Sequence, residues 1–440
     1  MRALTGMLVL AVGSAVGLAQ PASAGVAADP APTNVRIAWA DPSTSKVRVT
    51  WDEVGSRPNQ LKVLNLDGTE TSSGSASTTA DQPDQVDITL TSAGAGAVRI
   101  AVYIGTSSEV LTSPPGLSEP FDQLRTPDPV LRPPSLGADG LVTLKWNAGV
   151  SPADPAPNDP LDLPARPARY QLSVILPGYL SRQPFGDPFT ATELTQPHWP
   201  PPYYFQIVSL PNEWGGGIDY GGVSGERFTK LSIPSAVSYG QTTVIAGSVQ
   251  SVGMISGPGP WSANPYEDPG RLVVLQARTN ASTPWYVVGS TRSTSVGAPF
   301  DSAFRFAPVA LGTRQYRVVV PDVFGPNFLS VGVTSGGVTT LARARVLSAG
   351  FTDSTATMGQ RVTAQVRISP AANVRTTLQR WDGVAWRDLK WVDLKGGSGS
   401  YTFTATQRGH FAYRFLVPSF SFATRSIAWQ VSPNFTLTTR

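Results

Sequence analysis

Short runs in which apolar and polar residues alternate recur along most of this chain, and they predict strands. Val35-Arg36-Ile37 and Val47-Arg48-Val49-Thr50-Trp51 keep the period of two expected of half-buried strands, with a turn signal, Asp41-Pro42-Ser43, between them. The alternation returns at Leu61/Val63, at Val86/Ile88/Leu90 and at Val98/Ile100/Val102/Ile104. It continues through Leu141-Val142-Thr143-Leu144-Lys145-Trp146, Tyr170-Gln171-Leu172-Ser173-Val174 and Tyr203-Tyr204-Phe205-Gln206-Ile207-Val208. In the last run either Tyr203 or Tyr204 can point inward, because a slip of one residue exchanges the faces of every side chain. Ser151 to Pro167 is too rich in proline for a paired strand and reads as an extended loop.

The second half adds an internal repeat. Tyr316-Arg317-Val318-Val319-Val320-Pro321 returns as Tyr413-Arg414-Phe415-Leu416-Val417-Pro418, each copy a buried strand closed by proline. Gly240-Gln241, Leu275-Gln276, Trp285 and Phe304/Phe306 return in the same order as Gly359-Gln360, Leu378-Gln379, Trp386 and Tyr401/Phe403. The spacing between copies shortens after the first anchor, which places an insertion at the Gly- and Pro-rich Ile255 to Asp268. The expected fold is therefore all-β, a tandem series of antiparallel β-sandwich modules. Their expected bounds are 25–124, 125–230, 231–342 and 343–440, behind a leader at 1–24.

Pro32 and Val35 ahead of Trp51 resemble the opening of a fibronectin type III domain. Pro129 and Leu136 ahead of Trp146, with the strands at Tyr170 and Tyr203, resemble it again. The repeated half resembles the immunoglobulin-like repeats common on secreted proteins of actinobacteria. These resemblances imply sandwich folds and an extracellular setting. They imply no particular ligand, because one fold hosts many functions.

Composition agrees with that setting. Gly 42 and Pro 40 punctuate the apolar runs, and only 15% of residues are charged. Arg2, the apolar stretch Leu4 to Leu18 and Ala22-Ser23-Ala24 have the layout of a cleavable signal peptide, with cleavage expected after Ala24. That run is short for a bilayer core, which takes about 20 apolar residues, and no later stretch is long and apolar enough to span, so no stable membrane span is expected after cleavage. There is no cysteine, which excludes thiolate catalysis, Cys-based zinc sites and iron–sulfur clusters. A net charge of +4 without a Lys/Arg block gives no reason to expect nucleic acid, and suits weak attraction to anionic envelope polymers.

Candidate chemistry is sparse. The two histidines, His198 and His410, sit in loop or turn sequences with no Ser or acid in a nucleophile arrangement, and no Gly-x-Ser-x-Gly elbow occurs. No catalytic residue and no cofactor is expected. For a metal, Asp154, Asp159 and Asp162 share one loop, but their spacing does not match an EF-hand and prolines stretch the chain between them, so a solvated loop and no metal is expected there. Trp51, Trp146, Trp285 and Trp386 stand at strand positions and read as core. Trp381, Trp386 and Trp391 recur every five residues, which alternates faces on a regular strand. Trp199, Trp214 and Trp261 lie in Pro- and Gly-rich loops, where a large ring covers a module junction or, if exposed, stacks on a sugar or anchors a protein contact. The expectation is a non-enzymatic, secreted or cell-surface protein acting in adhesion, spacing or envelope binding. The alternative is a carbohydrate-binding accessory protein. Its partner would be a cell-envelope polymer, a polysaccharide or an extracellular protein.

Overall fold

In the computed structural model the described residues are 29–91, 96–105, 111–139, 141–164, 166–197, 199–211, 213–296 and 300–440. The expected leader, His198 and Asn212 lie outside them. The described chain is all-β, with one short 3-10 turn at Pro42–Thr44, where Asp41 Oδ1 accepts from the Ser43 amide at 3.0 Å. No helix among the described residues is long and apolar enough to cross a membrane. The chain divides into two compact units.

The first unit comprises the described residues from 29 to 126 together with those of two excursions, 151–166 and 211–215. Its strands Thr33–Asp41, Lys46–Asp52 and Gln85–Thr89 form one sheet. Asn59–Asn65, Glu70–Thr78, Val98–Ile104 and Gly116–Leu117 form the other. Alternation does the folding here. Val47, Val49 and Trp51 face Leu61, Val63, Ile100 and Val102 in one core, while Arg48 points outward to Asp87 at 2.8 Å. The polar strand Glu70–Thr78 carries almost no apolar signal and is placed by its pairing with Asn59–Asn65.

The second unit holds three cores. The first lies between Val130–Leu136, Leu141–Asn147 and Glu193–Pro197 on one side and the sheet containing Tyr170–Ile175 and Tyr203–Ser209 on the other. Tyr203 is buried there and Tyr204 points the other way, which settles the register. The strand Ile218–Ser232 crosses the boundary expected at 230/231. Its first part pairs with Tyr203–Ser209 and its later part with Ile245–Ile255, so one sheet serves two cores. On this strand the buried Glu226 accepts from Ser251 and Ser330 hydroxyls and faces the buried Arg271 at 3.5 Å.

The remaining two cores carry the internal repeat. In the third sandwich Val273, Leu275, Tyr316 and Val318 pack against Ile245, Val249 and Phe304. In the fourth Leu378, Tyr413, Phe415 and Val417 pack against Val362, Ala364 and Val366. In both, the first strand is followed by a short one, Ala236–Ser238 or Thr355–Ala356, laid parallel to the last strand of the same sandwich. The repeated tyrosines are core residues in equivalent places.

Candidate functional site

Three places bring unusual chemistry together. The first is an acidic cluster in the first unit. Asp122, Asp159 and Asp162 each offer a carboxylate oxygen, and these oxygens lie within 4.8 Å of one another. Asp159 accepts from the amides of Asp122 and Leu161 at 2.8 and 2.6 Å, and Asp162 accepts from the amide of Asp159 at 2.9 Å. Glu213 takes the Leu163 amide at 2.8 Å. Burial, followed by the neighbouring carboxylates of Asp154 and Asp159, pushes the Asp122 carboxyl up to about 6. Burial is also the largest cause of the upward shifts of Asp159 and Glu213, and the adjoining acids add to it. The sequence singles out Asp154, Asp159 and Asp162 but not Asp122 or Glu213. A lone acid in Phe121-Asp122-Gln123 has no local signature, and only the fold brings it to the loop.

The loop tryptophans have divergent fates. Trp214 is 1% exposed, packed on Trp39 at 4.7 Å between ring centroids and on Phe121 at 6.1 Å. Beside it Leu161 is buried and its carbonyl accepts from Trp39 Nε1 at 2.6 Å. The expectation of an exposed, sugar-stacking Trp214 is corrected: the 151–166 and 211–215 excursions complete the first core, and the indole is part of it. Trp199 is half-buried between Phe185 and Tyr203, edge-on to both. Trp261 is half-buried and meets Tyr204 edge-on at 5.4 Å.

Tyr204 in turn lines a groove of about 360 Å³ with Gly222, Met254, Asn264, Tyr266 and Phe328. Two glycines keep its floor flat. A Cβ on Gly222 would meet the Tyr204 ring at 2.8 Å, and one on Gly253 the Tyr266 ring at 3.0 Å.

The third place is the outer face of the repeated sheets. In the third sandwich Arg317 Nε donates to Gln276 Oε1 at 2.8 Å, and Arg317 and Arg278 each lie 4.4 Å from the Trp285 ring. In the fourth, Arg414 Nε donates to Gln379 Oε1 at 2.7 Å and lies 4.3 Å from Trp386. Three sequence anchors of the repeat, Leu-Gln, Trp and Tyr-Arg, thus become one physical unit. Leu and Tyr face inward, and Gln, Arg and Trp interlock outside. Trp51 and Trp146 are core as expected, while Trp285 and Trp386 are outer-face residues and not core.

The fourth sandwich adds more. Trp381 stands opposite Trp386, their rings 5.5 Å apart, and Trp391 is 66% exposed on the edge strand Trp386–Leu394. A bulge makes this possible. Lys390 pairs with Leu378 and Asp388 with Gln379, so Leu389 is an extra residue. An extra residue cancels the odd spacing of Trp386 and Trp391 and puts both on the outer face. Arg375 lies 5.6 Å over Trp391 and pairs with Asp393 at 2.8 Å. Arg387 holds Asp382 well below the usual carboxylate range through a hydrogen bond at 2.7 Å. His410 opens the strand Gly409–Val417 with Nδ1 3.0 Å from Thr438 Oγ1.

No protein-family profile matches this chain, and no curated protein matches it.

Proposed function

We propose that the chain is a non-enzymatic, secreted or cell-surface protein of tandem sandwich modules that works in adhesion, spacing or envelope binding. The observation that carries this reading is the outer face of the fourth sandwich, where Trp381 and Trp391 stand exposed, with Arg375 over Trp391 and Arg414 over Trp386. Aromatic rings and arginines are the residue types that anchor binding surfaces. Here they are presented on a sheet edge held rigid by the Arg414–Gln379–Asp388 hydrogen bonds at 2.7 and 2.8 Å. Flat rings beside cations suit a polymer that combines sugar faces with negative charge. The resemblance of the repeated modules to immunoglobulin-like repeats supports the extracellular setting. The test is retention of the exported chain on its producer's cell walls. Retention should drop at least about tenfold for Trp391→Ala, the size of loss expected for a binding anchor. Unchanged retention removes this face from the reading.

A second reading, a carbohydrate-binding accessory protein, is favoured by the groove lined by Tyr204, Tyr266 and Phe328, with Trp261 behind Tyr204. In this form Trp261 buttresses a stacking tyrosine and is not itself the platform. It predicts retention on neutral insoluble polysaccharide that Tyr266→Ala abolishes and Trp391→Ala leaves intact. The opposite pattern favours the first reading.

A further inference from the structure

We propose that Asp122, Asp154, Asp159 and Asp162 bind a calcium ion, which clasps the 151–166 excursion to the first sandwich. Acids gathered on a loop are common without an ion, but one buried atom sets this cluster apart. Asp122 is 3% exposed; its Oδ1 accepts from the Leu124 amide at 2.8 Å, while its buried Oδ2 receives no hydrogen bond. An orphaned carboxylate oxygen is among the costliest groups to bury. Beside Asp122 lies another carboxyl, that of Asp154. When both are ionised neither supplies a donor, and Asp159 and Asp162 add two more anions to the same few ångströms. A cation satisfies all of them at once.

The loop is built to hold the carboxylates in place. Amides of Ala156, Leu161 and Asp159 fix Asp154, Asp159 and Asp162 in turn, at 2.8, 2.6 and 2.9 Å. All the ligands are hard oxygens, which excludes metals that need nitrogen or sulfur. Calcium takes about 6–8 oxygens in flexible geometry, whereas magnesium demands a near-ideal octahedron and keeps its waters. Irregular ligands from a chain excursion and a distant segment suit calcium. The ion would sit beside the turn that buries Leu161 under Trp39, so binding and closure of the first core are linked. This site is independent of the wall-binding and sugar-binding readings.

The test uses the whole exported chain, stripped with a chelator. Melting is followed with about 1 mM calcium or magnesium, and terbium binding by emission sensitised through Trp39 and Trp214. Calcium should raise the first unit's melting by roughly 3–8 °C if it saturates the site, magnesium by clearly less, and terbium should bind once per chain. Asp122→Asn keeps the acceptor for the Leu124 amide and should abolish the calcium shift. Asp162→Asn, at a half-buried position, gives the same reading should the first variant fail to fold. Asp87→Asn, on the Arg48 pair, should keep both responses. The proposal is overturned if the stripped wild type ignores calcium and terbium, if both aspartate variants bind as before, or if magnesium acts equally. A stabilised Asp122→Asn in a protein that ignores calcium would also overturn it, because a proton shared with Asp154 then does the work.

Discussion

The third and fourth sandwiches are two copies of one plan with different outer faces. Both keep Gln, Arg and Trp interlocked outside the buried Leu and Tyr. Where the third has Arg278 clamping Trp285 from a second side, the fourth has Trp381. Where the third has Ser290, the fourth has Trp391. In the third sandwich the tryptophan is enclosed by guanidinium groups. In the fourth, indoles are left open to solvent on an edge strand. The difference separates what a repeat keeps in order to fold from what one copy adds. The kept residues satisfy each other, and the added ones have surface to offer.

That separation can be broken first at the core. Tyr316→Ala and Tyr413→Ala should each cost about 3–5 kcal/mol, as large-to-small changes at buried aromatic sites do. The two losses should be similar in denaturant melts of the respective variants. A large loss in one copy with little in the other would end the equivalence. Next come the outer arginines. Arg317→Ala and Arg414→Ala should each cost about 1–2 kcal/mol, from one hydrogen bond and one stacking contact on a ring. A cost near that of the tyrosines would mean the trio belongs to the core. Smallest in stability are Trp381→Ala and Trp391→Ala, expected within about 0.5–1 kcal/mol because surface residues seldom cost more. If they prove as costly as Tyr413→Ala, they are structural and the surface reading weakens.

Much of this fold is legible in the sequence, because regular strands write their faces in alternation. Val47, Val49 and Trp51, or Val142, Leu144 and Trp146, are apolar at every second position and are buried at those positions. What the sequence hides has two physical sources. A bulge has no compositional mark, so the spacing of Trp386 and Trp391 predicts opposite faces until the pairing of Leu378 and Gln379 exposes Leu389 as the extra residue. Contacts between distant segments leave no local trace either. Glu213-Trp214-Gly215 looks like an exposed loop, and only its approach to Trp39 and Phe121 buries it. The acidic cluster is half legible for the same reason. Three of its aspartates share a loop, while Asp122, whose orphaned oxygen gives the cluster its meaning, comes from another part of the chain.

The central claim is that the unrepeated tryptophans of the fourth sandwich are its binding surface. It is tested most directly by the bound fraction of wild type and of a Trp381→Ala/Trp391→Ala double variant on one cell-wall preparation, at one protein concentration and ionic strength. Both proteins should first show matching melts. The account predicts that the double variant loses at least about tenfold in affinity, or 1.4 kcal/mol, while Ser290→Ala in the sister sandwich changes nothing. Equal binding by the folded double variant and the wild type would contradict it.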